Sequence, residues 1–303
     1  MSFLGRATGE ELAFEAATTE PVATRGWRAF FVELARSKVG LVGLVLVLFL
    51  VVVAIAAPLI APSNPLTSHP AALLEAPSRA HWFGTDDQGR DILSRVIYGT
   101  RISLTGAIGI VAIGILVGTP IGLVAGYFGG WLDEILMRIT DMFLAFPALI
   151  LAMAVAATLG PSLLNAVLAI GVTWWPWYAR LVRGQTLRLR HQPFVEAARV
   201  SGGGGVFIIR RHILRNVLSP IIVQASLDIG YAILTLAGLS FIGLGAQPPT
   251  PEWGSMISVG RDYYLVQWWF VTFPGLAIVF AVLAFTLFGD GLQRAMPSAR
   301  GMA

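Results

Sequence analysis

Long apolar segments separated by short polar ones set the outline of this chain. The first, residues 40–61 (GLVGLVLVLFLVVVAIAAPLIA), carries no charge. Others follow at about 102–126, 135–159, 165–181, 217–244 and 270–289. A bilayer core takes roughly 20 helical residues, with a range of about 17–25. Five of the segments fit easily and 165–181 is at the short end. The pattern predicts an all-α, polytopic membrane protein with about six transmembrane helices. Its parts are a tail, 1–39; a first span, 40–61; an external segment, 62–101; and a core, 102–303, interrupted by a long loop at 182–216. The first apolar run is too long for the core of a signal peptide, so it should remain as an anchor.

Composition strengthens this picture. Of 303 residues, 56% are hydrophobic and 13% charged, against about 25% charged in a typical soluble domain. Cysteine is absent, which excludes disulfides and thiolate metal sites. Arginine placement gives an orientation. Loop 182–216 holds Arg183, Arg188, Arg190, Arg199, Arg210, Arg211 and Arg215 against one acid, Glu196. Such loops stay in the cytoplasm, and with six spans both termini should lie there too. Arg25, Arg28, Arg36 and Lys38 before the first span agree, as do Arg294 and Arg300 after the last.

Catalytic chemistry is hard to place on this chain. A P-loop ends in Lys followed by Ser or Thr, but the only lysine, Lys38, precedes Val39. His69, His81, His191 and His212 divide between opposite sides of the membrane. No enzyme, cofactor or metal site is expected in this chain. Charges within spans mark function more often than charges in water, which singles out Asp228 near the middle of the fifth span. Pathway lining and an interhelical hydrogen bond both remain open for it. Arg138 and Asp141, three apart on the third span, are expected to pair at its cytoplasmic end. Pro120, Pro147, Pro176 and Pro274 should kink their spans. Thr85 or Asp86 can cap a short amphipathic helix starting near Gln88, with Arg90 and Arg95 on its polar side, anchoring the second span.

Loop 182–216 contains HQPFVEAARVSGGGGVFIIRRHILRN. Pro193 suits the first turn of a helix. Phe194, Ala197, Ala198 and Ser201 then share one face, mostly small, and Glu196 favours the N-terminal dipole. Gly202 to Gly205 should stop the helix. The residues alone leave two readings open: a docking element for another protein, or an elbow held on lipid headgroups by its arginines.

Larger patterns decide between them by resemblance. EAARVSG at 196–202 followed by HIL at 212–214 resembles the EAA loop of ABC importer permeases. HWFGTDDQGRDILSRVIYGTRISL at 81–104, GLSFIGLGAQPPTPEWGSMI at 238–257, FPGLAIVFAVLAFTLFGDGLQRAM at 273–296 and RSKVGLVGL at 36–44 extend the match. Together they resemble the second permease subunit of the dipeptide and oligopeptide importer family. The resemblance implies a type I importer fold and an EAA loop in which Glu196, Ala197, Ala198 and Gly202 couple to an ATPase. It implies partners: a second homologous permease, two ATP-binding subunits or domains, and an external solute-binding protein. ATP and Mg would then be held by the ATPase partners, and no nucleic acid would be involved. Expected location is the bacterial inner membrane, and expected cargo short peptides. A nickel chelate or glutathione is the alternative cargo, and a solitary secondary transporter or channel the alternative class. The sequence departs from the family pattern at Arg215, where proline is usual, at Gly203, Gly204 and Gly205, and at Leu236, where many relatives carry an acid.

Overall fold

The computed structural model describes residues 37–295, so Arg25, Arg28, Arg36 and Arg300 lie outside the described residues. Among the described residues every regular element is a helix. Helix α1, Lys38–Ile60, is apolar all round, as a span facing both lipid and protein must be. Ser37 caps it through the Gly40 N–H. After a 3₁₀ turn at Pro70–Ala72 comes α2, Ile92–Phe128, 37 residues long. Then follow α3, Gly130–Leu144; α4, Ala148–Leu159; and α5, Leu163–Leu189. The loop helices are α6, Pro193–Val200, and α7, Gly205–Ile208. A π-helical turn, Ile209–Ile213, leads into α8, Leu214–Phe241. Helix α9, Trp253–Gly260, and α10, Trp269–Ala295, are the last of the described residues' helices.

Glycines arrange the bundle. Gly114, Gly118, Gly122 and Gly126 recur every four residues on α2, so they form one stripe. A Cβ added at Gly118 would stand 2.4 Å from the Trp175 carbonyl oxygen, and one at Gly122 2.5 Å from that of Ala179. At Gly126 it would meet Thr186, 2.7 Å away. The partner number rises with the glycine number, so α2 and α5 run parallel with their backbones almost touching. Parallel helices require the chain between them to travel back the full length. The α3–α4 pair does this, although it bends by 85°. Pro147 sits at the break as the cap of α4, where its missing N–H costs nothing.

Helix α10 runs antiparallel to both α8 and α1. Gly230 on α8 approaches Val282 and Phe285 of α10, and Gly289 approaches Leu227. Gly43 of α1 meets Phe288, and Phe49 packs edge-on against Phe280. The start of α1, the ends of α2, α5 and α10, and the start of α8 therefore share one end of the bundle, and α6 hangs there.

Expected and observed spans differ in instructive ways. Among the described residues, four helices are long and apolar enough to cross a membrane, and the bent pair, taken as one span, makes a fifth. The expected span 165–181 falls within α5, which has the length but a lower apolarity, because Asn165, Trp174, Trp175, Pro176, Trp177, Tyr178 and Arg180 dilute it. Packing against α2 keeps it in the bundle. The expected short amphipathic helix near Gln88 is not formed. Asp91, not Thr85 or Asp86, is the cap, accepting from the Ser94 N–H at 2.8 Å, and α2 runs from there without a break. Asp86 is instead the hub of a buried network. Its Oδ1 accepts the backbone N–H groups of Gln88 and Arg90, both at 2.9 Å. Its Oδ2 accepts from Arg90 Nε at 2.7 Å and stands 3.3 Å from Arg95 Nε as an ion-pair contact. Arg95 Nη1 reaches the carbonyls of Pro65 and Pro249, joining segments far apart in sequence. Arg90 and Arg95 are therefore buried anchors rather than a polar helix surface.

Candidate functional site

Two features at different depths stand out: the exposed loop helix α6 and a polar group in the middle of α8. Helix α6 forms where the sequence predicts, with Gln192 as its cap and Pro193 in the first turn. Val195 is its peg, fully buried with Ile208 and Ile213. The rest of the helix stands clear. Phe194, Glu196, Ala197, Arg199 and Val200 are exposed and Ala198 is half-buried. Glu196 makes no ion pair among the described residues.

The four glycines after α6 do separate jobs. Gly202 has φ +82°, and its N–H donates to the Arg199 carbonyl at 3.0 Å. The Gly203 N–H donates to the Ala198 carbonyl at 2.9 Å. These two bonds define a Schellman stop, which wants glycine at the left-handed residue. Gly203 is constrained by space, since a Cβ there would lie 2.7 Å from the Ala198 oxygen. Gly204 faces open space, and Gly205 already belongs to α7. The expected stop by all four is thus the work of Gly202 and Gly203. His212, in the π turn, sits between Phe194 and Phe207, with ring centroids 6.3 Å and 5.7 Å away, and ties α6 to the root of α8.

Arginine–aspartate pairs brace the same end. Arg183 grips Asp133 of α3 in a bidentate fork, Nε to Oδ1 at 2.6 Å and Nη2 to Oδ2 at 2.7 Å. Arg180 pairs with Asp141 at 2.6 Å, and Arg138 pairs with Glu134 at 3.1 Å. The expected Arg138–Asp141 pair is therefore not made. A partner on α5 outcompetes the neighbour on α3 for Asp141, while Arg138 finds Glu134 one turn back.

Asp228 lies halfway along α8. Its Oδ1 accepts from Gln224 Nε2 at 2.9 Å, and its Oδ2 is buried without a hydrogen-bond partner. The buried Tyr178 hydroxyl on α5 faces it, also unpartnered. Trp174, one turn from Tyr178, packs on Tyr231 with centroids 5.5 Å apart, which fixes the level of α5 against α8. Leu236 is fully buried, its side chain against Gly106. At the opposite end from α6, Glu252 caps α9. It accepts the N–H groups of Gly254 at 3.0 Å and Ser255 at 2.8 Å, and Ser103 Oγ of α2 donates to it at 3.3 Å. Burial raises its carboxyl above the ordinary 4.5, against the pull of these hydrogen bonds.

A multi-pass helical bundle with a small helix standing off one end, and an unpaired acid at mid-depth, has the architecture of a transport permease. Comparison with known proteins makes this specific. Residues 118–299 match the family of binding-protein-dependent transport system inner membrane components. Residues 26–77 match the N-terminal transmembrane domain of oligopeptide transport permease C. The chain belongs to this permease family. It is 46% identical over 274 residues, 90% of each chain, to the dipeptide transport system permease DppC of Alkalihalophilus pseudofirmus. It is 49% identical over 249 residues, 82% of this chain and 84% of the other, to the probable D,D-dipeptide permease DdpC of Escherichia coli K12. The glutathione transport system permease GsiD of Pectobacterium atrosepticum is 45% identical, with 89% of this chain and 90% of that one covered. The inward-facing MetNI methionine ABC transporter shares the fold, with a TM-score of 0.54 at 19% identity over 66% of this chain and 96% of that one.

Proposed function

We propose that this chain is one half of the translocation pathway of an ATP-driven peptide importer in the bacterial inner membrane. A second, homologous permease supplies the other half. Two ATP-binding subunits or domains hold the ATP and Mg, and an external solute-binding protein delivers the cargo. Dipeptides and glutathione are the cargo classes named for the relatives at 44–49% identity. The termini and loop 182–216 face the cytoplasm, in keeping with the seven arginines of that loop.

One observation carries the coupling assignment: α6 leaves Phe194, Glu196, Ala197, Arg199 and Val200 exposed, while Val195 is its one fully buried side chain. A short, anchored helix with most of its surface bare suits a cleft on another protein. Glu196, Ala197, Ala198 and Gly202 are the coupling residues on this reading. Small Ala197 lets a partner backbone come close, and Gly202 turns the chain back. Asp228 is the candidate pathway residue.

The test is recovery of the ATPase with affinity-tagged permease. Ala197→Arg adds bulk and charge to an exposed position, so the permease still inserts but the ATPase is lost. Undiminished recovery with Ala197→Arg would show that α6 does not dock there.

A further inference from the structure

Asp228 is not alone on α8. Gln224, Asp228, Tyr231 and Thr235 follow at spacings of four, three and four, so they form one stripe along the helix. The stripe begins half-buried at Gln224 and Asp228 and becomes open at Tyr231, which is 62% exposed. Asp228 is 13 residues from the end of α8 at Phe241 and 14 from its start at Leu214, about 20 Å from each. That is the middle of the membrane.

Lipid does not suit such a stripe. A bare carboxylate at this depth is costly on insertion scales. No Lys, Arg or His pairs with Asp228 among the described residues. Its one hydrogen bond comes from a neutral amide, Gln224. Aromatic side chains lie close by: Trp174 packs on Tyr231, and the Tyr178 hydroxyl is directed at the carboxylate. An acid with no cation of its own and one neutral hydrogen-bond donor is chemically suited to a small organic cation.

We propose that this stripe lines the route and that Asp228, with Tyr231 and Trp174, forms a mid-membrane station for the ammonium group of a passing peptide. The inference rests on the peptide-import reading above and adds to it the chemical group that is recognised. Gln224 holds Oδ1 in place, and Tyr231 is the next side chain along the stripe, where it opens. The station favours cargo with a further positive charge over cargo with a further negative one.

The fully assembled transporter in proteoliposomes tests this, with liganded binding protein at saturation so that capture from solution drops out. Uptake is compared for lysyl-alanine, alanyl-alanine and aspartyl-alanine. Asp228→Asn lowers the lysyl-alanine to aspartyl-alanine uptake ratio about tenfold, the scale of one charge-assisted hydrogen bond, while Asp228→Glu retains the ratio. Tyr231→Ala, at an exposed position, lowers the ratio in the same direction without affecting assembly. Recovery of the ATPase with each variant confirms an intact complex. A ratio unchanged in Asp228→Asn overturns the proposal, whether total uptake is normal or uniformly reduced. A uniform reduction makes Asp228 a tie to α5 through Tyr178 instead. Failure of the unsubstituted transporter to move any of the three peptides is a different result and overturns the peptide reading itself.

Discussion

Replacing Gly122 with alanine tests the packing on which the whole bundle depends. The added Cβ would stand 2.5 Å from the Ala179 oxygen, 2.7 Å from Val182 Cβ and 2.9 Å from the Arg183 nitrogen. Two of these are backbone atoms in the middle of α5, which no rotamer change can move. Carbon contacts are comfortable at about 3.5–4.0 Å, so α5 must retreat by about 1 Å. Overpacking of this kind costs about 1–3 kcal/mol. The gain in helix propensity from Gly to Ala is about 1 kcal/mol and offsets part of it. Retreat also loosens the contacts one turn either side, at Gly118 and Gly126, which approach α5 as closely.

Gly184 provides the matched control. It lies on α5 between the same two helix ends, and a Cβ there meets nothing within 4 Å. Gly184→Ala should be neutral or stabilising by up to about 1 kcal/mol. The assay is the melting temperature of each variant in one detergent, beside uptake in membranes. Gly122→Ala should melt several degrees below Gly184→Ala and transport less, and Gly122→Leu should not assemble. If Gly122→Ala matches the unsubstituted chain in both readouts, α2 and α5 do not rely on backbone contact and the ladder is incidental.

Three further substitutions probe other contacts. Asp86→Ala removes the shared partner of Arg90 and Arg95, and breaking a buried pair costs about 3–5 kcal/mol; expression and melting temperature should both fall, while Arg79→Ala, on the exposed part of the same segment, should change neither. Glu252→Gln addresses pH. Burial raises this carboxyl above 4.5, so the folded chain binds more protons than the unfolded one in the interval above that value, and this group's contribution to stability falls as pH rises through it. Melting temperature measured from pH 4.5 upward should lose that part of its downward slope in the variant, and an unaltered slope would refute the assignment. At the loop, Gly202→Val puts a β-branched residue at φ +82°, a conformation unfavourable to any side chain by about 1–2 kcal/mol; ATPase recovery should drop. Gly204→Ala, in open space at ordinary φ, should leave recovery unchanged.

Hydropathy located the apolar helices to within a few residues at most ends, because a bilayer leaves a helix few other ways to satisfy its backbone. What it could not see was contact. Span 165–181 is held by the α2 glycines rather than by its own apolarity. Those glycines were legible in principle, since a glycine every four residues from Gly114 to Gly126 is the small-residue spacing for close helix packing. The partner helix and the parallel sense were not, because they depend on where the broken α3–α4 crossing returns the chain. Charge pairing misled for a related reason. Arg138 and Asp141 share a face of α3, but Asp141 reaches Arg180 on a helix 39 residues on, and helical spacing carries no information about such a neighbour.

The segment between α1 and α2 shows the same limit most sharply. Asp86, Arg90, Asp91 and Arg95 read as a capped helix with a polar surface, since acids followed by arginines at three- and four-residue intervals usually are one. The chain instead spends Asp86 on two backbone N–H groups and two guanidinium groups. That draws Arg90 inward and leaves Asp91 to start the helix. Buried polar groups must be satisfied, and Arg95 completes the account by reaching the carbonyls of Pro65 and Pro249, neither of which can be matched to it from sequence. Glu252 follows the same logic: a carboxylate followed by two N–H groups at a helix start, with Ser103 added from 149 residues away. At both places a buried charge holds distant segments together, and the end of the bundle opposite α6 is fixed by those polar ties where hydrophobic pattern gives no guide.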